Sequence, residues 1–230
     1  MKNIAIIPAR SGSKGLKDKN IKDLCGMPLL AYSIIAAEKS GMFDIIHVST
    51  DSERYAETAR EFGADVPFLR PAELATDSSS SRDSMVYSLD RYREMGHEFD
   101  TIMTLQPTSP LRTDRDIVRA YELFEKKGAE TVIGVCEVDH PPMWSNTLTS
   151  SGSMEHFAEI GRAARRQDLE QYYRINGAIY LTRVASFRST DTLYNDRCFA
   201  YVMPKERSVD IDDAFDFLLA EAIIKNRQVD

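Results

Sequence analysis

Short apolar runs alternate with helix-length stretches along most of this 230-residue chain, and that alternation restricts the fold more than any single motif. Asn3 to Pro8 reads as a first strand, continuous in Ile and Ala as a strand buried on both faces is. Pro28 to Ser40 follows as a helix, with Leu29, Leu30, Ser33, Ile34 and Ala37 at helical spacing and Gly41 just past its end. Asp44 to Ser49, Val66 to Leu69, Thr101 to Leu105, Glu130 to Val138, Gly177 to Thr182 and Phe199 to Met203 read as further strands. Helices are expected over Glu53 to Phe62, on the stripe Met85, Leu89 and Tyr92, over Asp114 to Lys126, and near Asp212 to Lys225. The last is expected to bury Phe215, Leu218, Leu219 and Ala222. This repetition predicts an α/β fold with an open, mostly parallel sheet and helices on both faces. Ligands of such sheets sit outside the carboxyl ends of the strands. The unusual loops of this chain fall at those ends.

Residues 139–175 break the pattern. His140-Pro141-Pro142-Met143-Trp144 interrupts regular structure, Thr147 to Ser153 is polar, and Gly161 to Arg166 holds three arginines. The chain therefore divides into an α/β domain, 1–138 and 176–230, and an inserted subdomain, 139–175. A hairpin arm that meets a second copy would account for the insertion. A surface excursion is the simpler alternative.

Net charge is −7, so bulk electrostatics repel nucleic acid and anionic membrane. The three cysteines, Cys25, Cys136 and Cys198, are widely spaced with no Cys-x-x-Cys, as in a cytosolic protein with buried thiols. No apolar run approaches the roughly 20 residues of a membrane span. A cytoplasmic location is expected.

Against that acidic background the first strand breaks into a loop with two glycines, two serines and four cations, Arg10 to Lys19. Such a loop suits a polyanion: glycine admits close backbone approach, amides point at phosphate oxygens, and cations neutralise charge. It is neither a Walker A loop nor Gly-x-Gly-x-x-Gly. Arg10, Lys14 and Lys19 are best placed to face a triphosphate, while Lys17 either joins them or is solvated. Asn20 either holds the loop or touches the ligand. Asp210 and Asp212 flank Ile211 just before a helix. In extended backbone they share a face and suit Mg²⁺, which takes few carboxylates. Helix capping, with Asp210 at the N-cap, is the competing explanation. Gln106, in a loop fixed by Pro107 and Pro110, offers a paired donor and acceptor. Asn176 offers the same amide chemistry, or simply starts a turn.

Taken together, these segments resemble the acylneuraminate cytidylyltransferases. The matching motifs are Ile-Pro-Ala-Arg-Ser-Gly-Ser-Lys-Gly-Leu-Lys-Asp-Lys-Asn (7–20), Leu-Arg-Pro-Ala-Glu-Leu-Ala (69–75) and Leu-Gln-Pro-Thr-Ser-Pro-Leu-Arg (105–112), with Asn-Gly-Ala-Ile-Tyr (176–180) and Ser-Val-Asp-Ile-Asp (208–212). They occur in the family's order over nearly the whole chain. The resemblance implies a Rossmann-like sheet and a nucleotidyl transfer from CTP, or GTP, to a nine-carbon 2-keto-3-deoxy acid sugar of the sialic, legionaminic or pseudaminic type. It implies nucleotide contacts from Arg10, Ser11, Gly12, Ser13, Lys14, Gly15, Asn20, Arg70 and Ser80, with Lys19 catalytic. It also implies sugar-side roles for Gln106, Arg174 and Asn176, and Mg²⁺ on Asp210 and Asp212, one of which takes the hydroxyl proton. A homodimer is implied, in which the arm of one subunit reaches its partner's site. Arg162, Arg165 and Arg166 would then meet the sugar carboxylate, although an arginine-rich surface helix explains them more simply.

One departure bears on the sugar. Sialic-acid members tend to carry a lysine shortly after a His-Pro turn, where this chain has Pro142-Met143-Trp144. Trp144 either covers a less hydroxylated sugar or packs within the arm. Rival readings are a Kdo cytidylyltransferase, a nucleotide-sugar-dependent glycosyltransferase with its Asp-x-Asp pair, and a nucleotide-binding module without turnover. Gln-Pro-Thr-Ser-Pro and the late position of Asp-Ile-Asp count against the first two. No phosphate cation or metal ligand is missing, which counts against the third.

Overall fold

In the computed structural model the described residues are 1–12, 15–77, 79–155, 157 and 170–227. Ser13, Lys14 and the three arginines at 162, 165 and 166 lie outside them, and so does most of the second half of the expected arm. Strands are β1 (Asn3–Pro8), β2 (Asp23–Leu24), β3 (Met27–Pro28), β4 (Ile45–Ser49), β5 (Thr101–Thr104), β6 (Thr131–Glu137), β7 (Tyr173–Arg183) and β8 (Cys198–Val202). Helices are α1 (Leu29–Ser40), α2 (Glu53–Glu61), α3 (Ser81–Glu94), α4 (Asp114–Lys127), α5 (Val184–Ser189) and α6 (Ala214–Arg227).

Six strands form one sheet in the order β4-β1-β5-β7-β6-β8, and β2 pairs with β3 in a small hairpin. The pairs β1–β4, β1–β5 and β6–β8 are parallel, whereas β7 runs antiparallel to both β5 and β6. The expected mostly parallel sheet is present, with one strand reversed. The alternation within β1 assigns the two faces. Ala5 and Ile7 pack with Leu30 and Ile34 of α1, Ala56 of α2 and Phe124 of α4. Ile4 and Ile6 pack with Met85, Leu89 and Tyr92 of α3 and with Phe187 of α5. Helices therefore cover both faces. No helix among the described residues is long and apolar enough to cross a membrane.

Local signals explain the element ends. Thr113 and Asp116 form a reciprocal capping box at the start of α4, and Gly128 closes it at φ 56°. Two expectations fail. Val66 to Leu69 is not a strand; Asp65 alone bridges to His47, and Pro67 cannot donate to a ladder. The apolar face of α6 is also the other one. Phe217 and Ala220 are buried, while Phe215 is 73% exposed, Leu218 62% and Leu219 42%. Apolar residues surround this helix, so spacing alone does not choose its inner face.

Candidate active site

The parallel strands β1, β4 and β5 deliver their carboxyl ends to one edge of the sheet, where Arg10, Asp51 and Gln106 follow them. Because β7 is reversed, its first half arrives at the same edge: Tyr180 pairs with Thr104, so Asn176 and Gly177 extend past the end of β5. The segment after β8 closes the group, with the Ile211 amide donating to the Thr108 carbonyl at 2.8 Å. A cleft of about 680 Å³ opens between them, lined by Arg10, Lys19, Arg70, Gln106, Asp210 and Asp212. Residues from 10 to 212 thus meet in one place.

The cations are held by specific neighbours. Lys19 Nζ donates to the Ile211 carbonyl at 2.5 Å and to Asp212 Oδ1 at 3.3 Å. Arg10 forms an ion pair with Asp77 at 2.7 Å. Arg70 is buried and donates to Ser49 through Nε and a terminal nitrogen, at 3.1 and 2.7 Å. Burial pushes its guanidinium down to about 10, against the opposing charge of Asp51. Lys17 is exposed and does not line the cleft.

Asn20 holds the loop: its side-chain amide donates to the Arg10 carbonyl at 3.1 Å while the residue borders the cleft. Ser11 is bound to Asp51 through its amide at 2.7 Å and its hydroxyl at 2.6 Å. Burial raises Asp51, but the two Ser11 bonds and the charge of Arg70 win and hold it below the usual carboxylate range. Gly12 takes φ 74°, a conformation that favours glycine. Gly15 is required by contact instead, because a Cβ there would lie 2.6 Å from the Asp212 carbonyl oxygen.

The competing explanation for Asp210 and Asp212 is settled by hydrogen bonds. Asp213 Oδ1 accepts from the amides of Phe215 and Asp216, and Asp216 Oδ2 accepts from those of Asp212 and Asp213. Asp213 and Asp216 cap α6, so the earlier pair is not needed as its cap. The Asp212 side chain is 82% exposed. Asp210 Oδ1 is buried with no hydrogen-bond partner among the described residues. Burial, then the charge of Asp212, raises the Asp210 carboxyl, against a Thr108 hydrogen bond and the charges of Lys19 and Arg174. An orphaned carboxylate oxygen beside an exposed carboxylate, facing phosphate-type cations, fits a divalent cation that completes its shell with water and phosphate oxygens.

The remaining expected residues separate. Gln106 lines the cleft and also a second cavity of about 330 Å³, which continues from it along the α3 side of the sheet. Asn176 is only 1% exposed and lines neither. Its amide donates to Ser208 Oγ at 2.9 Å and accepts from the Ala178 amide at 3.1 Å, so it anchors β7 to the segment before Asp210. The neighbour Gly177, at φ 72°, leaves the space that Gln106 Oε1 occupies. Arg174 is exposed and borders a separate groove on the far side of the aspartate pair. Trp144 lies in a short turn of helix beside His140 and lines neither cavity. Ser80 caps α3 by accepting from the Arg82 amide, and it is Ser81 that borders both cavities. Ser81, Asp51 and Thr108 were not singled out by the sequence. A serine run does not mark its inward member, and the apolar strand before Asp51 was the only local signal.

The family model described as cytidylyltransferase matches residues 4–217. An N-acylneuraminate cytidylyltransferase of Streptococcus agalactiae serotype V is 40% identical over 220 residues, covering 95% of this chain and 52% of that protein. The chain thus spans about half the length of that relative. A CMP-N,N'-diacetyllegionaminic acid synthase of Legionella pneumophila is 34% identical, covering 99% of this chain and 98% of that one. A pseudaminic acid cytidylyltransferase of Campylobacter jejuni is 32% identical, covering 98% and 97%. The solved structure of CMP:2-keto-3-deoxy-manno-octonic acid synthetase complexed with CTP superposes with a TM-score of 0.74 over 99% of this chain and all of that one, at 15% identity, a likeness of fold. With its motifs converging on one cleft and the family model spanning almost its whole length, this chain belongs to the cytidylyltransferase family.

Proposed function

We propose that the protein transfers the cytidylyl group of CTP to a nine-carbon 2-keto-3-deoxy acid sugar, releasing pyrophosphate. The carrying observation is the convergence of Arg10, Lys19, Arg70, Asp210 and Asp212 on one cleft that continues, past Ser81 and Gln106, into a second cavity. The cleft is rich in charge, as a triphosphate requires. The second cavity is walled by Met85, Ile102, Phe187 and Leu193 with polar groups between them, which suits a sugar carrying acyl substituents.

In this reading the anomeric hydroxyl attacks the α-phosphorus as the bond to pyrophosphate breaks in line, and the hydroxyl proton passes to a carboxylate of the aspartate pair. Arg10 and Lys19 offset the charge on the phosphate oxygens, and Gln106 orients the sugar at the junction. Asp210 and Asp212 hold Mg²⁺, which supplies Lewis-acid neutralisation of the triphosphate when bound. The protein acts as a homodimer; the exposed apolar face of α6, with Phe215, Leu218 and Leu219, supports that reading.

The test is pyrophosphate release with Mg²⁺ and CTP or GTP, offering N-acylneuraminate, N,N'-diacetyllegionaminic acid and pseudaminic acid separately. Release with CTP and one of the three is expected. Silence with every pair overturns the proposal, and the most productive pair names the base and the sugar. Light scattering during chromatography reads the dimer.

A further inference from the structure

The loop from Arg10 to Lys19 is fastened to the start of α2 near both of its ends. Near its beginning, Ser11 is bound to Asp51. Near its end, Asp18 Oδ1 accepts from the Tyr55 hydroxyl at 3.1 Å. Asp51 stands just before α2 and Tyr55 in its first turn. Tyr55 is only 1% exposed and packs in the core with Ala9, Ile34 and Val48. Burial, then the bond to Asp18, raises its hydroxyl above the usual phenol range, so it stays a donor. Neither Tyr55 nor Asp18 borders the cleft.

The backbone marks Asp18 as unusual. It is left-handed, with φ 52° and ψ 31°, and among the described residues only Cys25 shares a positive φ without being glycine. Glycine would sit there without steric cost, so an aspartate held in that conformation points to a use for its side chain. Its carboxylate has two partners, Tyr55 and, at 3.6 Å, Arg54. The Arg54 side chain is 72% exposed, and an ion pair of that kind contributes little. The buried hydroxyl is the partner that fixes Asp18. Its left-handed turn opens the short helical turn Lys19–Ile21, with the Ile21 amide donating to the Asp18 carbonyl at 3.1 Å. Asp18 thereby sets the direction in which Lys19 leaves the backbone towards the Ile211 carbonyl and Asp212.

We propose that Tyr55 and Asp18 are a positioning pair for Lys19: the core-anchored hydroxyl holds the left-handed turn that aims the lysine beside Asp212, into the cleft. The role given to Lys19 on the triphosphate rests on the functional reading above.

The experiment measures pyrophosphate release and calorimetric CTP affinity for wild type, Tyr55→Phe, Asp18→Gly and Asp18→Asn, and for Tyr55→Phe in a Lys19→Met background. Tyr121→Phe is the control, because it removes a hydroxyl from the same core, bonded instead to Thr101 at the start of β5. Tyr55→Phe is expected to lower kcat/KM for CTP about tenfold, the scale of one hydrogen bond to a charged group. KM for the sugar should stay within about twofold. Asp18→Gly keeps the backbone conformation and should lose as much, and it decides the matter if the phenylalanine variant does not fold. Asp18→Asn keeps an acceptor oxygen and tolerates the left-handed turn, so it should stay within about threefold of wild type. In the Lys19→Met background the loss of the hydroxyl should cost less than about twofold, since the group being aimed is gone. An unchanged kcat/KM in Tyr55→Phe, an equal loss in Tyr121→Phe, or the full tenfold loss in the absence of Lys19 overturns the proposal. CTP affinity should follow the same pattern. Wild-type silence with every sugar therefore overturns the functional reading while the binding series still decides the pair, and a wild type that binds no CTP overturns both.

Discussion

The α-carbon of Gly15 lies so close to Asp212 that a methyl group on it would come within 2.6 Å of the Asp212 carbonyl oxygen. The first loop of the chain and the aspartate segment near its end are therefore in backbone contact, with Lys19 bridging them from the side. Gly15→Ala must push the two apart, and displacements near 1 Å at a reacting centre cost about a hundredfold in rate. A fall in kcat/KM for CTP of that order is expected, with the thermal midpoint little changed. Wild-type kinetics in the alanine variant would separate the loop from the site.

Asp212→Asn keeps the size of the side chain and removes the charge that faces Lys19. We expect turnover to fall at least about a hundredfold, the scale for losing a preorganised charge at the reacting group. Calorimetric titration should show CTP binding that no longer strengthens when Mg²⁺ is added. Retained magnesium dependence would move the cation away from this pair.

His47 provides a stability prediction independent of catalysis. It is fully buried, its Nδ1 lies 3.0 Å from the Asp65 carbonyl, and it packs on Phe68 and Tyr92. Burial lowers its ring to about 4 from 6.5, against the hydrogen bond and charge of Asp65. The unfolded chain therefore binds the proton that the folded protein refuses. Stability is full above pH 6.5 and falls as pH drops towards 4, by roughly 3 kcal/mol over that window. Urea midpoints between pH 7 and pH 4.5 should trace this slope, and His47→Phe should flatten it.

Asp116 is a second such group with the opposite chemistry. Its side chain is 1% exposed and accepts from Arg207 at 2.9 and 3.1 Å, from Tyr201 at 2.9 Å and from the Thr113 amide at 2.9 Å. Burial raises it, but the Arg207 and Thr113 bonds dominate and hold it below the usual range. Its contribution is present above the ordinary carboxylate value and is lost as pH falls below it. Arg207→Met leaves the buried carboxylate short of its counter-charge and should cost about 3 kcal/mol in denaturant unfolding. A loss under about 1 kcal/mol would mean that Thr113 and Tyr201 suffice.

Much of this was legible because two periodicities are simple. Continuous apolar runs marked β1, β5 and β6, and abrupt polar breaks marked the ends that carry Arg10 and Gln106. Strand direction was not legible, since nothing in Gly177 to Thr182 distinguishes an antiparallel strand from a parallel one. The face of α6 was hidden by apolar residues on both sides. Within the site, Asn176 and Gln106 look alike as amides. Only the fold shows that one is used inside the core and the other is open to both cavities. Asp210 could not be separated from a helix cap until Asp213 and Asp216 were seen to do the capping.

The reversed strand β7 has a further consequence. Adjacent antiparallel strands need only a tight turn between them, yet residues 138–172 separate β6 from β7. The sheet would close without them, so their length and composition are free of the demands of folding the α/β domain. They leave the sheet after Glu137 and return at Tyr173, which pairs with it. This connection can therefore change in length without altering the register of the two strands that it joins.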